Sequence, residues 1–388
     1  MEATQYDYIF LGAGCSALSI VMRMIQAEKF QDKKILLIDK EPKSRNDRTW
    51  CFWEKEDGFF EKIVYRKWDN LLFKEDNDPV HLDIVPHSYK MIRGIDFYQY
   101  CLSIIASQKN IDIVYGAISF TNEEFLNVKF NDELIAVDKK AIIFNSIYQP
   151  AKKERDKFYL LQHFKGWIVE SQQDFFTANE AVLMDFRVSQ SHGTTFVYVL
   201  PLSSNKALIE YTLFTEELLS QQEYNSALED YCKNYLKLNT YRIIDEEFGV
   251  IPMTNAKFHK YKNGMYQIGT AGGQTKASTG YTFRFIQKQA EEIVNELMEK
   301  NQVSKENNFK KRFYFYDSTL LRILSKNLLD GKTIFSILFK KNRAAIVLKF
   351  LDNDTNIFEE IRLLNSLPKK IFIRAGLGEF IKMLLPKR

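Results

Sequence analysis

The sequence contains few cysteines and few histidines, the residues that build disulfides and many metal sites. Its 388 residues include four cysteines, at positions 15, 51, 101 and 232, and five histidines. The cysteines are irregularly spaced and form no CxxC pair, so we expect no disulfide framework and place the protein in a reducing cytoplasm. The histidines form no HExxH or comparable spacing, which argues against a bound metal.

Long hydrophobic runs are also missing. The first residues are acidic and polar, and the apolar run from Tyr8 to Leu11 is too short for a signal peptide, so we expect none. No window approaches the ~18 uncharged apolar residues needed to cross a bilayer. The length of the chain gives room for two domains and a sizeable core.

The amino-terminal stretch shows the clearest pattern. Asp7 to Leu11 is typical of a strand, the turn Gly12-Ala13-Gly14 follows, and a helical apolar stripe precedes a second strand from Ile35 to Asp39. Strand, glycine turn, helix and strand in this order are typical of the unit that binds the ADP half of a dinucleotide. A purely structural strand, turn and helix is the alternative.

Each small residue of this unit has an expected role. Gly12 permits the tight turn, Gly14 lets the backbone approach a pyrophosphate, and Ala17 takes the third small position, where helix and strand pack closely. Ala13 lies between the glycines and is counted with them as a cofactor contact. The amides at the helix start would face the phosphates. Asp39 would accept both ribose hydroxyls and repel a 2'-phosphate, which favours FAD or NAD over NADP.

The segment from Lys40 to Trp53 changes from polar to aromatic. It can lie over the cofactor, with Arg48 on a phosphate or a flavin edge, and we count Lys40 and Arg48 among the cofactor-binding candidates. The alternative is a loop held by buried tryptophans. Short elements are expected to follow, with strands at Leu71–Phe73, His81–Val85, Ile111–Tyr115, Leu134–Val137 and Ala141–Asn145, and a helix from Ile95 to about Ala106.

The middle of the chain is rich in strand patterns without helices between them. Such a succession predicts an antiparallel sheet, one face of which we expect to cover the cofactor and receive the substrate. The strands are expected at Tyr159–Gln162, Trp167–Glu170, Ala181–Val188, Thr195–Pro201 and Ala207–Phe214, followed by a helix from about Thr215 to Leu236 and by strands at Glu247–Met253 and Met265–Ile268.

A second glycine-rich stretch follows the last of these strands. Ser278-Thr279-Gly280-Tyr281 then opens a long amphipathic helix that runs to about Lys300, and from Tyr314 onward the pattern is helical. Glycines before a serine- or threonine-capped helix predict a second anion-receiving helix start. A loop with a well-capped helix is the alternative. The candidate cofactor contacts here are Gly269, Gly272, Gly273, Thr279 and Gly280.

The net charge is +4, but basic residues concentrate toward the C terminus. Lys332 to Arg388 contains 12 Lys/Arg and 5 Asp/Glu, a net of +7. A basic and apolar helical segment indicates contact with an anionic membrane surface. An ordinary helical subdomain with solvated lysines is the alternative. No nucleic-acid motif accompanies the charge, so no such partner is expected. The apolar and basic residues behind this pattern are Phe335, Leu338, Phe339, Ile346, Val347 and Phe350 with Lys340, Lys341, Arg343 and Lys349.

Short pieces spread over nearly the whole chain form an ordered set. They are Gly12-Ala13-Gly14, Asp47-Arg48-Thr49-Trp50, Gln162-His163-Phe164-Lys165-Gly166-Trp167, Met184-Asp185-Phe186-Arg187, Pro201-Leu202-Ser203 leading to Leu208-Ile209-Glu210-Tyr211-Thr212, Gly249-Val250-Ile251-Pro252-Met253, Ser278-Thr279-Gly280-Tyr281 and Phe315-Tyr316-Asp317. In this order, they resemble the lycopene cyclases in the form found in carotenoid-making bacteria.

This resemblance implies an α/β flavoprotein of the hydroxylase/reductase type. We expect a Rossmann-like FAD-binding domain from residues 1–150 and 246–300, an antiparallel-sheet substrate domain from 151–245, and a helical C-terminal segment from 301–388. The implied reaction cyclises the ψ end groups of lycopene to β-ionone rings, giving β-carotene through γ-carotene. It implies FAD in its reduced form, NADPH or NADH as reductant, no net redox change, and an enzyme held peripherally on the cytoplasmic face of the membrane.

Glu210 is the residue expected to carry this chemistry. On the resemblance it takes the first acidic position of the family's Glu-(Asp/Glu)-Thr motif. Alternation along a strand places Glu210 on one face with Leu208, Thr212 and Phe214. A carboxyl held in such apolar surroundings tends to have a raised pKa, which suits it to act as an acid. A strand-end glutamate paired with an arginine is the alternative.

The sequence departs from the family's pattern at two places. Tyr211 stands where many members carry the second acid, which puts in doubt a mechanism that needs a carboxylate pair. Lys276 stands in place of a histidine, so it is unsuited to that residue's proton transfer, although it can still pair with flavin or phosphate. Asp185 is the candidate second anion, with a salt bridge to Arg187 as its alternative role.

Two other functions fit the same sequence. A flavin oxidoreductase of the same fold, a monooxygenase or an isoprenoid reductase, would consume NAD(P)H in proportion to product. A flavin-bearing carotenoid carrier would perform no chemistry and would be indifferent to Glu210→Ala.

Overall fold

The structure, a computed structural model, describes residues 6–76, 78–120, 128–130, 133–135, 141–150, 153–306 and 310–384. The strands are β1 (Tyr8–Leu11), β2 (Ile35–Asp39), β3 (Thr49–Glu54), β4 (Arg66–Trp68), β5 (Asn70–Lys74), β6 (Val80–Leu82), β7 (Ser88–Arg93), β8 (Ile111–Tyr115), β9 (Ile118–Phe120), β10 (Val128–Phe130), β11 (Glu133–Ile135), β12 (Ile142–Asn145), β13 (Tyr159–Ser171), β14 (Glu180–Asp185), β15 (Thr194–Pro201), β16 (Lys206–Thr215), β17 (Tyr241–Thr254), β18 (Tyr261–Lys262) and β19 (Met265–Gln267).

The helices flank these strands and dominate the C-terminal part. They are α1 (Cys15–Gln26), α2 (Gly94–Ile105), α3 (Gln221–Asp230), α4 (Phe283–Lys300), α5 (Lys311–Ser325), α6 (Gly331–Lys341), α7 (Ala344–Leu351), α8 (Ile357–Ser366) and α9 (Lys369–Leu384). Within the described ranges, no helix combines the length and the apolar character that crossing a membrane requires.

A six-stranded sheet, in the order β18-β19-β12-β1-β2-β8, holds the nucleotide unit. Strand β1 pairs in parallel with β2 and β12 on its two sides. Its four residues are all buried, as are the five of β2, because central parallel strands are covered on both faces. Helices α1 and α4 pack on this sheet through one apolar core. The strand, turn, helix and strand predicted at the amino terminus are therefore confirmed.

A seven-stranded sheet, in the order β17-β13-β16-β15-β14-β5-β6, forms the second layer. Strands β13, β14, β15, β16 and β17 pair antiparallel, and β14 pairs in parallel with β5. The sheet includes strands from residues 70–82 and extends through Thr254. It therefore draws on more of the chain than residues 151–245, and the division into the domains given above stays a prediction.

The C-terminal helices close one face of this sheet. Side chains of α5, α6, α7, α8 and α9 share a single core with the sheet residues Leu208, Phe214 and Phe186. The opposite face of the sheet packs on α3 through a separate core that includes Ile209, Tyr211 and Leu213. One face of strand β16 is thus directed at the C-terminal helices, and the other at α3.

Several of the predicted elements differ from the structure, among them the strand expected from Glu247, which begins at Tyr241. The strands expected at Tyr159–Gln162 and Trp167–Glu170 are one continuous strand, β13, whose middle carries Gly166. The helix expected from Thr215 begins at Gln221, where the Ser220 hydroxyl and the Glu223 carboxylate form a reciprocal capping box. This box was visible in the sequence and marks the helix start. In the strand expected at Leu134–Val137, residues 136 and 137 lie outside the described part.

The basic and apolar tail folds differently from a simple membrane-facing helix. Phe335, Phe339 and Val347 are buried in the core beneath the sheet. Lys340 pairs with Glu75, Arg343 with Asp83, and Lys349 with Glu359, at 2.6, 3.3 and 2.7 Å. The residues behind the predicted membrane contact therefore build the protein core and its surface ion pairs.

Candidate active site

The first glycine turn leaves open space at the start of α1. Gly12 has a φ of +91°, a backbone conformation that favours glycine. A side chain added at Gly14 would meet no other atom within 4 Å. The Ser16 hydroxyl is buried, and in the described part of the chain nothing hydrogen-bonds to it. Open space, free amides and an unpaired hydroxyl at a helix start suit an anionic group such as a pyrophosphate.

The second glycine segment meets the first at this point. A side chain added at Gly269 would lie 2.9 Å from the Ser16 Cβ, so the two segments touch. Gly272 and Gly273 instead pack against their own part of the chain, on the Gln267 carbonyl and the Phe258 ring. Gly269 is therefore the glycine of this segment that faces the start of α1.

Asp39 lies beside the first glycine turn, as its position at the end of β2 predicted. Its Oδ2 accepts a hydrogen bond from the Ala13 amide at 2.7 Å, and its Oδ1 accepts one from the Lys43 ammonium at 2.9 Å. Lys40 points elsewhere, because its side chain is 77% exposed and pairs with Glu41. The lysine that pairs with Asp39 is Lys43, which the sequence did not single out, and the cofactor contact of Lys40 stays a prediction.

The second predicted helix start is wrong in its detail. Helix α4 begins at Phe283, after a Thr282 that makes no side-chain capping bond. The Ser278 hydroxyl donates to Asp317 at 2.7 Å, while the Thr279 hydroxyl is buried, and no described group partners it. A side chain at Gly280 would lie 2.0 Å from the Gln162 side-chain oxygen. Residues 278–282 are thus a loop pressed onto strand β13 rather than a cap.

A cavity of about 500 Å³ lies between these glycine segments and the antiparallel sheet. Arg48, Thr270 and Gly280 line it from the nucleotide side, and Glu210 and Glu247 line it from the sheet. Arg48 also forms an ion pair with Asp47 at 2.8 Å. Arg48 lines the cavity, and its contact with a cofactor stays a prediction. Trp53 is buried, as the alternative interpretation of this segment expected.

Glu210 occupies the face of β16 that alternation predicted. Leu208 and Phe214 belong to the core beneath the C-terminal helices, whereas Tyr211 belongs to the core on the opposite face. The Thr212 hydroxyl donates to the Glu210 Oε1 at 2.8 Å. An acid at position 211 would therefore point away from Glu210, since neighbouring strand residues face opposite sides of a sheet.

The second carboxyl beside Glu210 is Glu247, which the sequence did not identify. Strand β13 lies between β16 and β17, and Gly166 pairs with Glu210 on one side and with Glu247 on the other. A side chain at Gly166 would come within 3.0 Å of the Glu247 Cγ. Because Gly166 has no side chain, the carboxyls of Glu210 and Glu247, which lie on the strands to either side of it, can meet above it.

The electrostatics of this pair favour a shared proton. Burial raises the pKa of Glu210 well above its usual value, and repulsion from Glu247 raises it further. Burial also raises the pKa of Glu247, although a hydrogen bond from the Thr49 hydroxyl at 2.7 Å acts in the opposite direction and lowers it. No N–H or O–H donor among the described residues reaches the Glu247 Oε1. A proton held between the two carboxyls satisfies that oxygen and removes the repulsion between like charges.

Aromatic groups and a thiol surround the carboxyl pair. The hydroxyls of Tyr198 and Tyr281 lie 3.4 Å apart, and both side chains line the cavity together with Phe164 and Tyr89. Burial and the two carboxyls raise the pKa of the Cys51 thiol. The pair therefore sits among side chains that are neutral at physiological pH, and it is the titrating group of the cavity's sheet side.

Asp185 and Lys276 are held in ion pairs outside this cavity. Asp185 is fully buried and bound by Arg187 at 2.6 Å and by the Tyr231 hydroxyl at 2.7 Å, which is the salt bridge considered as its alternative role. Lys276 is also buried and pairs with Asp317 at 2.7 Å. The two acids that meet are thus Glu210 and Glu247, and Asp185 is not one of them.

The residues at the glycine segments fit a bound dinucleotide. Open space faces Gly14, the buried Ser16 hydroxyl finds no partner among the described residues, and Asp39 is oriented toward the turn. Unpaired buried hydroxyls are costly and are normally satisfied by a partner or a ligand. The arrangement therefore suits an ADP group along α1, with Arg48 and Gly280 on the cavity side.

The chain matches known proteins over most of its length. A family model described as lycopene cyclase protein matches residues 7–375. A lycopene beta-cyclase from Pantoea ananas is 24% identical over 290 residues, which cover 71% of each chain. A chromoplastic capsanthin/capsorubin synthase from Citrus sinensis is 22% identical over 307 residues, which cover 72% of this chain and 58% of that protein.

The fold matches that of a solved flavoprotein. A flavoprotein/dehydrogenase from Cytophaga hutchinsonii superposes with a TM-score of 0.63 at 12% identity, covering 97% of this chain and 100% of that chain. At this identity the likeness concerns the fold. It confirms the predicted class, a Rossmann-like flavoprotein fold with an antiparallel sheet and a helical C-terminal segment.

Proposed function

The chain belongs to the lycopene cyclase family, as its ordered motifs predicted, and from this premise we propose that it acts as a lycopene β-cyclase. The proposed reaction converts the ψ end groups of lycopene to β-ionone rings, giving γ-carotene and then β-carotene. The observation that carries the proposal is the Glu210–Glu247 carboxyl pair, half-buried in an aromatic-lined cavity beside the glycine segments.

The carboxyl pair can begin such a reaction as an acid. Proton transfer from Glu210 to the terminal double bond forms a C–H bond and leaves a carbocation, which the neighbouring double bond attacks to close the ring. Return of a proton from the ring to the ionised carboxyl pair then gives the ring alkene and restores the acid, so substrate and product have the same mass. A raised pKa favours the protonated form of Glu210, which is the form that a general acid needs.

The same cavity can stabilise the cation and keep water away from it. Once the proton has left, the pair carries one negative charge more, and the faces of Phe164, Tyr198 and Tyr281 attract a cation through their ring electrons. Excluding water prevents quenching of the cation. The neutral aromatic surroundings of the pair serve both purposes.

The proposed cofactor is FAD, active when reduced, with NADPH or NADH as the reductant. Gly12, Gly14 and Ser16 would hold its pyrophosphate, Asp39 its ribose, and Arg48 its flavin edge. Bound reduced flavin would supply negative charge near the reacting carbons without net electron transfer. The visible absorption spectrum of the protein after incubation with FAD and gel filtration tests the binding, and a protein that retained no flavin would contradict it.

The proposed substrate dissolves in membrane, so we propose peripheral attachment on the cytoplasmic face of the bilayer through α8 and α9. Large apolar side chains on these helices are exposed, among them Phe358 at 85% and Ile373 at 59%. The exposed charged side chains on the two helices are all basic: Arg362, Lys369, Lys370 and Arg374. The acidic residues of the two helices are instead engaged in ion pairs. Glu359 pairs with Lys349, Glu360 with Arg312 and Glu379 with Arg322. Exposed apolar side chains flanked by positive charge suit an anionic lipid surface.

Reversing three of these charges is expected to weaken vesicle binding. Each basic side chain near an anionic surface contributes about 1 kcal/mol, so the triple variant of Lys369, Lys370 and Arg374 to glutamate should bind phosphatidylglycerol vesicles on the order of 100-fold less tightly. Vesicle sedimentation measures the difference. The matched control changes Lys233, Lys257 and Lys326, which are exposed elsewhere, to glutamate. Equal losses in both triple variants would contradict attachment through α9.

The function itself is tested by expression in a lycopene-accumulating bacterial host. We expect the pigments to shift to species of unchanged mass with shorter conjugation, measured by chromatography and mass spectrometry. Unchanged lycopene in the presence of folded, flavin-loaded protein would contradict the proposal. Products of altered mass, formed with matching NAD(P)H consumption, would indicate instead the alternative of an oxidoreductase of this fold.

A further inference from the structure

A second cavity, of about 470 Å³, lies inside the C-terminal helical region. Side chains of α5, α6, α7, α8 and α9 form its wall, among them Phe315, Phe335, Leu364 and Phe372. Protein interiors are close-packed and contain few voids larger than a water molecule. Its size and apolar lining are those of a ligand pocket, and apolar cavities take apolar ligands rather than water.

The outer end of this cavity opens on the surface of α9. Ile373, Leu377 and Phe380 line the cavity, and they are 59%, 56% and 50% exposed. They lie on the same helix as the exposed basic residues Lys370 and Arg374. This outer end, which we call the mouth of the cavity, therefore lies on α9, the helix that we propose contacts the bilayer.

The inner end of the cavity reaches the wall of the carboxyl site. Ser278 and Thr279 line it and are 3% exposed, while the next residues, Gly280 and Tyr281, line the cavity that holds Glu210. Loop 278–282 is thus a part of the wall that the two cavities share. Both lie on the side of the sheet that faces the C-terminal helices, and the Phe335 ring lies 6.4 Å from the Phe214 ring of strand β16.

The polar groups of the wall indicate what kind of chain fits. The Asp317 carboxylate accepts from Lys276 and Ser278, and the Thr319 hydroxyl donates to the Phe315 carbonyl. The Tyr316 hydroxyl donates to Glu360. The Asp317, Ser278, Thr319 and Tyr316 groups are thus occupied within the protein, and the buried Thr279 hydroxyl is uncharged. Lys369, at the exposed start of α9, also lines the cavity, so among the described lining residues the buried interior offers no unpaired charge for the head group of a fatty acid or phospholipid. The chemistry of the lining favours a hydrocarbon without a polar end.

We propose that this cavity binds the unreacted part of a long acyclic isoprenoid hydrocarbon, which enters from the bilayer past Ile373 and Leu377 and reaches Glu210 beyond loop 278–282. The inference rests on the proposed function for the identity of the substrate. It adds a binding site distinct from the carboxyl cavity and a direction of entry. An end group processed at Glu210 then leaves the rest of the chain inside the helical region.

Narrowing the mouth tests this binding site. The double variant Ile373→Trp, Leu377→Trp should retain lycopene roughly 10-fold less well than the wild type, because bulky side chains overfill the entrance. The control, Ile381→Trp, Leu384→Trp, changes the same two residue types on the same helix at 53% and 68% exposure, outside the cavity wall. The measurement is the lycopene absorbance that co-elutes with flavin-loaded protein from detergent on size-exclusion chromatography.

The outcomes separate this inference from the proposed function. If the wild type cyclises lycopene but the mouth variant retains as much lycopene as the control variant, the binding site is overturned and the cyclase function stands. If the wild type binds lycopene in a manner that depends on the mouth but forms no ring, the binding site stands and the cyclase function fails. A wild type that retains no lycopene overturns the site. If the double variant Ile373→Trp, Leu377→Trp does not fold, the single variant Leu377→Phe is used in its place for the same measurement.

Discussion

Replacing Glu210 with glutamine is expected to lower the cyclisation rate about 10²- to 10⁴-fold, the range that a positioned general acid contributes. Glutamine keeps the shape of the side chain but has no acidic proton to deliver to the double bond. The flavin site that we propose at Gly12, Gly14 and Asp39 does not include this side chain, so bound flavin should be unchanged. The rate is measured by carotenoid chromatography with purified, flavin-loaded protein and lycopene.

The stability of the Glu210→Gln variant distinguishes lost chemistry from lost structure. Because the pKa of Glu210 is raised in the folded state, the folded protein holds a proton that the unfolded chain releases more easily. Its contribution to stability is full below the unfolded pKa and is lost as pH rises through the folded pKa. The glutamine variant lacks this loss, so its melting temperature at pH 8 should be at least that of the wild type. Full activity in the variant would contradict the acid role, and Glu216→Gln, at an exposed position near the end of β16, serves as the control.

Replacing Glu247 with glutamine is expected to change the pH dependence of the reaction. In the wild type the rate should fall as pH rises, because the pair loses the proton that starts the reaction. Glu247→Gln removes a charge that raises the pKa of Glu210 and adds an N–H that favours the ionised carboxylate. The alkaline limb of the profile should therefore move to lower pH. At pH 8 we expect a rate on the order of 10-fold below the wild type, with a smaller loss at pH 5.5.

The neighbouring residue offers a matched control for this variant. Glu246 is exposed, pairs with Lys165 at 3.0 Å and precedes Glu247 on the same strand. Glu246→Gln should leave the pH profile in place, because its side chain faces the opposite side of the sheet. An alkaline limb that stayed unchanged in Glu247→Gln would show that the two carboxyls titrate independently. A double variant that loses no more activity than Glu210→Gln alone would show that they act as one unit.

The C-terminal helices differ from the sequence prediction in which of their side chains are exposed. Composition predicted correctly that the tail is helical, basic and apolar, but Phe335, Phe339 and Val347 proved to be core residues. The exposed apolar residues instead lie on α8 and α9, for example Phe358 and Leu377. In helices that are apolar on several sides, periodicity alone does not identify the exposed side, because neighbouring helices determine which side is covered.

The sequence by itself determined the features that depend on residues close together in the chain. The tight turn at Gly12 and the acid at the end of β2 follow from local conformation and short-range order. Alternation likewise placed Glu210 on the face of Leu208 and Phe214, since side chains of a strand point to opposite faces in turn.

Only the tertiary structure decided which groups meet across the sheet. Glu247 reaches Glu210 because β13 pairs with both β16 and β17 in a register that puts Gly166 between the two carboxyls. Strand register is set by the packing of a whole buried face and not by the residues of one strand. Asp185 belongs to a motif that lies close to that of Glu210 in the sequence, but in the structure its carboxylate binds Arg187 and Tyr231 instead. The cavity beneath α9 has the same origin, because its wall comes from five helices whose mutual packing no single stretch of sequence contains.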